Sequence, residues 1–235
     1  KEGGFVFDNQ GFLVRPDPVG IARPHNLDVF YLGWTGEGHL GWLNISHAFY
    51  EALGHDTSNP IAGRDVNIDG QLVFLELSVD RDWMRYQTSL FYTSGDSDPR
   101  DDTAHGFDSI LDNPQIMGGG FSYWQRQSVR ITDRGGVGLM QRNSMIPDLR
   151  SSKIQGQPNF VNPGILMLNV GATADLTQKV SLIGNATYIR FVDTEPLQIL
   201  LKQPDIRNDV GIDVSLGIEY RPFLNNNVIV KGFAA

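Results

Sequence analysis

The charged side chains that could hold a ligand are segregated within one stretch of this chain. Between positions 96 and 112 stand six aspartates, Asp96, Asp98, Asp101, Asp102, Asp108 and Asp112, with a single arginine, Arg100. Between 123 and 153 come Arg126, Arg130, Arg134, Arg142, Arg150 and Lys153 against Asp133 and Asp148. Arginine carries a permanent charge and a planar fork of donors, so the second half offers an anion-handling surface for carboxylates. A solvated loop, or arginines paired with acids elsewhere in the fold, accounts for the same residues equally well. The run Asp96, Asp98, Asp101, Asp102 supplies hard oxygen ligands for a structural Ca²⁺. It lacks the Gly and distal Glu of an EF-hand loop, and a plain acidic surface loop explains it better.

Other chemistry finds little support. There is no GxSxG, HExxH or GxxxxGK[ST]. His39, His47 and His105 share no metal-ligand spacing, and the absence of cysteine removes thiolate sites, disulfides and a Cys nucleophile together. Glu76 and Glu219 could be imagined as a glycosidase pair, but each occupies a polar position in an alternating stretch, and we expect no enzyme. A net charge of −8 argues against a nucleic-acid partner, whose phosphates call for a basic face.

The elements that must position these residues are strands. From Asp209 to Arg221, Val210, Ile212, Val214, Leu216, Ile218 and Tyr220 alternate with Asp209, Gly211, Asp213, Ser215, Gly217, Glu219 and Arg221. A strict period of two predicts one apolar and one polar face. We expect Val210, Val214 and Leu216 on the lipid side and Asp213, Ser215 and Glu219 on the other. The same alternation runs through Leu166–Leu176 and, after Thr177-Gln178-Lys179, through Val180–Tyr188. It recurs from Gln71 to Val79 and, beyond Asp80-Arg81-Asp82, from Met84 to Tyr92, with Arg85, Gln87 and Ser89 on the polar side. A further hairpin joins Leu27–Trp34 to Leu40–Ala52 through Thr35–His39, and the last turns through Pro222–Asn227 into Val228–Ala235. Asn44-Ile45-Ser46 and Asn185-Ala186-Thr187 fit the glycosylation sequon but fall mid-strand, where a glycan has no room.

Strands of ~10 residues match the apolar band of a membrane barrel, whereas strands of soluble sheets run ~5–6. Mean hydropathy is −0.22 and every apolar run is short, so no membrane helix is expected. The connections near 34, 79, 176 and 221 are short while 53–65, 95–163 and 192–207 are long, the asymmetry of outer-membrane barrels. Trp34, Trp42, Trp83, Tyr220 and Phe223 beside the short turns, and Phe49, Tyr50, Phe91, Tyr92, Tyr188 and Phe191 at the far ends, suggest two aromatic girdles. The reading is therefore a transmembrane antiparallel up-and-down β-barrel in the bacterial outer membrane, one domain over 1–235 with eight to ten strands in this chain. Residues 95–163 form a long loop on the external side that partly enters the lumen, with two short strands near 120–132 and 136–143. Lys1 is not an initiator Met and no charged-then-apolar leader precedes Phe5, so we take the chain as part of a longer polypeptide, incomplete at both ends.

Several stretches carry a family likeness. Asn44-Ile45-Ser46-His47-Ala48-Phe49-Tyr50, Asn59-Pro60-Ile61-Ala62-Gly63-Arg64, Ser94-Gly95-Asp96-Ser97-Asp98-Pro99, Gly106-Phe107-Asp108 with Asp112-Asn113-Pro114, Leu149-Arg150-Ser151-Ser152-Lys153 and Asn159-Phe160-Val161-Asn162-Pro163-Gly164 resemble the alginate-export family of outer-membrane porins. The likeness covers most of the chain from about Gly11 onward. It implies an 18-stranded monomeric barrel, within the 8 to 26 strands of such barrels, whose arginine-rich constriction passes an anionic polysaccharide outward. Carried onto this chain, the role falls to Arg126, Arg130, Arg142 and Arg150 and to the inward Arg85. The partners expected are outer-membrane lipid and an anionic solute or polysaccharide. The rival reading is a structural barrel that scaffolds a periplasmic or surface partner such as an electron-transfer protein, and a soluble β-sandwich comes third.

Overall fold

The computed structural model describes residues 6–7, 13–14, 24–59, 61–108, 116–117, 121–122, 129–130, 136–137, 160–201, 203–224 and 227–235. Eight long strands carry the fold: β3 (Leu27–Leu40), β4 (Leu43–Asp56), β5 (Val66–Arg81), β6 (Met84–Thr93), β10 (Ile165–Thr177), β11 (Val180–Phe191), β12 (Asp209–Tyr220) and β13 (Val230–Ala234). The short strands β1 (Val6–Phe7) and β2 (Leu13–Val14) pair with each other, as do β8 (Val129–Arg130) and β9 (Gly136–Val137), while β7 (Thr103–Ala104) lies parallel to β5. The long strands form one antiparallel meander in the order β13-β12-β11-β10-β6-β5-β4-β3. The chain is all-β and up-and-down as expected. Its sheet is open: among the described residues, β3 and β13 do not pair with each other.

The tight turns sit on one rim, at Gly41-Trp42, Asp82-Trp83 and Gln178-Lys179. Gly41 and Asp82 take φ of 64° and 52°, the left-handed conformation that two-residue hairpins need at their first position. The first hairpin corrects the expectation of a turn at Thr35–His39, since those residues are strand and pair with Asn44–Ala48. Gly36, expected in that turn, and Gly33 in the strand before it make room for cross-strand rings. A Cβ at Gly33 would collide with the Tyr50 ring, and one at Gly36 would lie 2.6 Å from His47 Cε1. Trp34 consequently stands opposite Phe49 at mid-strand, not beside a turn.

Burial is inverted relative to a soluble sheet. On β12, Ile212, Val214, Leu216 and Ile218 are exposed, whereas Ser215 and Glu219 are buried on the opposite face. The exposed set continues across this outward face through Leu182, Val170, Leu168, Tyr86, Leu75, Phe49, Phe30, Leu32 and Trp34. From Ile212 to Tyr220 the belt spans eight residue steps of ~3.3 Å, or ~26 Å, close to the ~25 Å apolar band of a membrane barrel. It is bounded above by a polar group, where Gln71 Nε2 donates to Glu51 Oε1 and Asp69 Oδ1, both at 2.8 Å. Thr88, a polar residue within the belt, donates its hydroxyl to the Asn169 carbonyl at 3.0 Å and so presents no unsatisfied donor.

The inward face is most continuously apolar at the long-loop end. There Leu72, Phe91, Ile165, Met167, Ile189 and Phe191 pack under Phe107, Met117, Phe160, Val161 and Leu197 from the connections. Phe91 and Phe191 are core residues here, which removes them from the expected upper girdle. Val210 also departs from expectation. The β11–β12 register slips between Ile189 and Arg190, opposite Gly211 at φ 138°, and the bulge turns Val210 toward this core. The short helix α1 (Glu195–Leu201) was not anticipated. It starts after Thr194, whose hydroxyl accepts from Gln198 Nε2 at 3.2 Å, and it buries Leu197.

Candidate functional site

Pairing register assembles the polar residues of the inward face into transverse rungs. One rung runs Glu37–Ser46–Glu76–Ser89–Asn169–Thr187–Asp213 across seven strands, each residue directly opposite the next. The rung beneath it contains Asn44, Ser78, Gln87, Gly171, Asn185 and Ser215. The rung above is apolar from Phe74 through Phe91 and Met167 to Ile189, so the change from oily to polar occurs at a single height. Alternation puts the polar residues inward; antiparallel register aligns them at common levels.

Side-chain bonds tie the rungs together. Ser89 Oγ donates to Glu76 Oε2 at 3.0 Å, and Asn169 Nδ2 donates to Thr187 Oγ1 at 2.8 Å. Asn44 Nδ2 donates to Asp80 Oδ2 at 2.8 Å. Nearer the short-turn rim, Arg221 and Lys231 approach Glu219 Oε1 at 3.1 and 3.9 Å. Glu76 and Glu219 sit in different rungs with β6, β10 and β11 between them, so they are not paired as glycosidase carboxylates would be.

Arg85 faces inward, as expected, and is half exposed. Its guanidinium donates to Ser78 Oγ at 2.9 and 3.2 Å and lies 3.4 Å from Asp80. Much of its charge is therefore answered locally. Across the described wall, Glu37, Glu76, Asp80, Asp175, Asp213 and Glu219 outnumber Arg85, Arg221 and Lys231. Arg126, Arg142 and Arg150 lie outside the described residues. Arg130 ends β8, whose backbone alone is described.

A fragment of the long connection reaches this wall. The Phe121 ring rests on Gly217, where a Cβ would come within 2.7–2.8 Å of three ring atoms. Its centroid is 6.0 Å from that of Phe233, and Lys231 Nζ stands 5.6 Å from it. The Ser122 hydroxyl bonds to Asp213. No signal in the sequence marked this contact beyond a glycine at an inward strand position.

The acidic run has another use than metal binding. Asp96 Oδ1 accepts from the Asp98 amide at 3.1 Å, Asp98 Oδ1 from the Arg100 amide at 3.3 Å, and Asp101 Oδ1 from the Thr103 amide at 2.8 Å. These are successive Asx turns. Asp102 is exposed, and among the described residues no three acidic or histidine side chains are arranged to hold a metal ion. Three of the four carboxylates shape the loop. Asp96 is fully buried where 94–96 meets 105–107 and 160–164. Its amide donates to the Asn162 carbonyl at 3.0 Å, and Gly106 donates to the Phe160 carbonyl at 2.7 Å. Burial pushes the Asp96 carboxyl from 3.8 up to about 7, and burial together with Glu195 raises Asp193 as well.

No helix among the described residues is long and apolar enough to cross a membrane. No protein-family model, curated protein or solved structure matches the chain.

Proposed function

We propose that this chain forms part of the wall of an outer-membrane β-barrel channel that passes anionic solutes or an anionic polysaccharide. The observation that carries the reading is the inverted sheet, with exposed hydrocarbon side chains on one face and hydrogen-bonded polar rungs on the other. Each large apolar side chain left in water forgoes roughly 1.5–3 kcal/mol relative to burial. A belt running the length of the sheet far exceeds the scattered apolar residues of a soluble surface. Lipid outside and water inside satisfy both faces at once. The resemblance to alginate-export porins points the same way.

Anion selection in this reading belongs to Arg126, Arg130, Arg142 and Arg150. The described wall is richer in carboxylates, and its cations are already engaged by Asp80 and Glu219. The test is conductance of the detergent-purified full-length protein in a planar bilayer, with the reversal potential measured in a salt gradient. Discrete conductance steps with anion preference are expected; membrane insertion without conductance would overturn the channel. The rival scaffold reading draws on one feature, the apolar roof over the upper end of the wall, and non-conducting insertion is the outcome it requires.

A further inference from the structure

Among the described residues, the inward face carries surplus positive charge at the tight-turn end of β12 and β13. Arg221 and Lys231 both converge on Glu219 Oε1, at 3.1 and 3.9 Å, so one carboxylate answers two cations. Asp175, in the same rung, is taken by the Ser181 hydroxyl. Lys179 in the adjoining turn, whose carbonyl accepts from the Arg221 amide at 2.8 Å, adds a further cation. Arg85, by contrast, has Asp80 at 3.4 Å as its own counter-ion.

The donors at this end are under-used. Arg221 is half exposed, yet its Nε–H is shielded from solvent and meets no acceptor among the described residues. A shielded donor without an acceptor calls for an explanation from outside the chain. Lys231 makes its ion pair at 3.9 Å, too long for a hydrogen bond. An apolar surface adjoins them. Register sets Lys231 opposite Glu219 and Phe233 opposite Gly217, so ammonium and ring stand on one face of β13, two residues apart. Phe233 packs against Phe121 with centroids 6.0 Å apart and stays half exposed.

We propose that Arg221, Lys231 and Phe233 form a subsite for a sugar acid, its carboxylate held by the two cations and its ring laid on Phe233. The proposal rests on the channel reading and gives that channel a contact at its tight-turn mouth. A carboxylate matches the donor fork of Arg221 and offsets the charge that Glu219 leaves unanswered. Free phosphate or chloride would use the cations and leave the ring bare; a neutral sugar would use the ring and leave the cations unanswered. A ligand with both parts uses the whole cluster. Glu219 competes for the same donors, which keeps binding weak enough for the ligand to leave, as conduction requires.

Isothermal titration of the full-length protein in detergent with triglucuronate, at low ionic strength, reads the affinity. Arg221→Gln and Lys231→Gln should each weaken it roughly tenfold, the worth of one charge-assisted hydrogen bond. Glu219→Gln should tighten it, because loss of the competing carboxylate frees both donors; a purely structural ion pair predicts no tightening. Phe233→Leu should weaken triglucuronate and leave acetate unchanged. Arg81→Gln, outside the cluster, should match wild type, and Lys231→Arg, which keeps the charge, should retain binding even if Lys231→Gln fails to fold. Equal affinities in wild type, Arg221→Gln and Lys231→Gln would overturn the subsite. So would maltotriose bound as tightly as triglucuronate, since a neutral sugar needs no cation. Conductance of the same preparations separates the two levels of failure. A conducting wild type without affinity for triglucuronate removes the subsite alone; a wild type that binds it and inserts without conductance removes the channel and leaves the subsite.

Discussion

Val214 and Ser215 are neighbours in sequence with opposite surroundings. Val214 is 56% exposed on the apolar belt and Ser215 is 2% exposed in a polar rung. An arginine at Val214 should cost ~2–4 kcal/mol near the bilayer midplane, and one at Ser215, which can extend along the polar face, much less. Equal refolding stabilities in vesicles would remove the barrel assignment for β12. Asp96 gives a second residue-scale expectation. Its carboxyl is raised by burial, and Oδ2 finds no hydrogen-bond partner among the described residues, so the fold favours the neutral acid. Asp101 raises it further, while His105 opposes the shift. For a group raised in the folded state, the stabilising contribution is complete below about 4 and is lost as pH rises through about 7. Hydrogen exchange at the Gly106 and Phe107 amides, corrected for intrinsic rates, should therefore accelerate over that window. Asp96→Asn, which does not titrate, should flatten the profile; an unchanged profile would assign the pH dependence elsewhere.

Elements reveal why glycine was hard to interpret. Gly36 and Gly38 looked like a turn, yet the chain turned at Gly41-Trp42, because His47 needed the space above Gly36 and Tyr50 the space above Gly33. Inward Gly217 likewise accommodates Phe121. Gly217→Val leaves a residue well suited to a strand, so β12 and its pairing with β11 should persist. The ring then has to move, or the overpacked contact costs ~1–3 kcal/mol. Oxidative cross-linking of Ser122→Cys with Asp213→Cys should be efficient in the otherwise native chain and roughly five- to a hundredfold slower when Gly217→Val is added, since ~1.4 kcal/mol is a factor of ten in an equilibrium. Unaltered cross-linking would mean that Phe121 does not hold the connection against the wall.

For the whole molecule the decisive quantity is charge at the narrowest point. At an effective dielectric near 20, opposite charges ~4 Å apart interact at ~4 kcal/mol, while distant surface carboxylates are screened within a Debye length of ~8 Å. A net −8 therefore does not settle selectivity. Changing Arg126, Arg130, Arg142 and Arg150 together to Ser should move the reversal potential toward cation preference, most strongly at low ionic strength. Because the described wall leans acidic, the quadruple variant should pass beyond neutrality to outright cation selectivity. A wild type already selective for cations would show that these arginines are solvated or paired.

The sequence by itself determined which residues share a face and how many long strands there are. Side-chain alternation is a property of the pleated backbone, set residue by residue: Arg85, Gln87 and Ser89 point one way, and Tyr86, Thr88 and Leu90 the other, whatever lies beyond. It also separated the rim of tight turns from the rim of long connections, because turn chemistry is local. Only the tertiary structure decided that Val210 faces the core, since a one-residue slip against β11 cannot be seen from β12 alone. The alignment of Glu76, Asn169 and Asp213 at one height likewise depends on register summed over successive hairpins. The use of Asp96, Asp98 and Asp101 as turn builders followed from where their own amides fell. Phe121 on Gly217 joins residues 96 positions apart, and a contact of that range is set by the space two surfaces leave each other, which a pattern read along the chain does not contain.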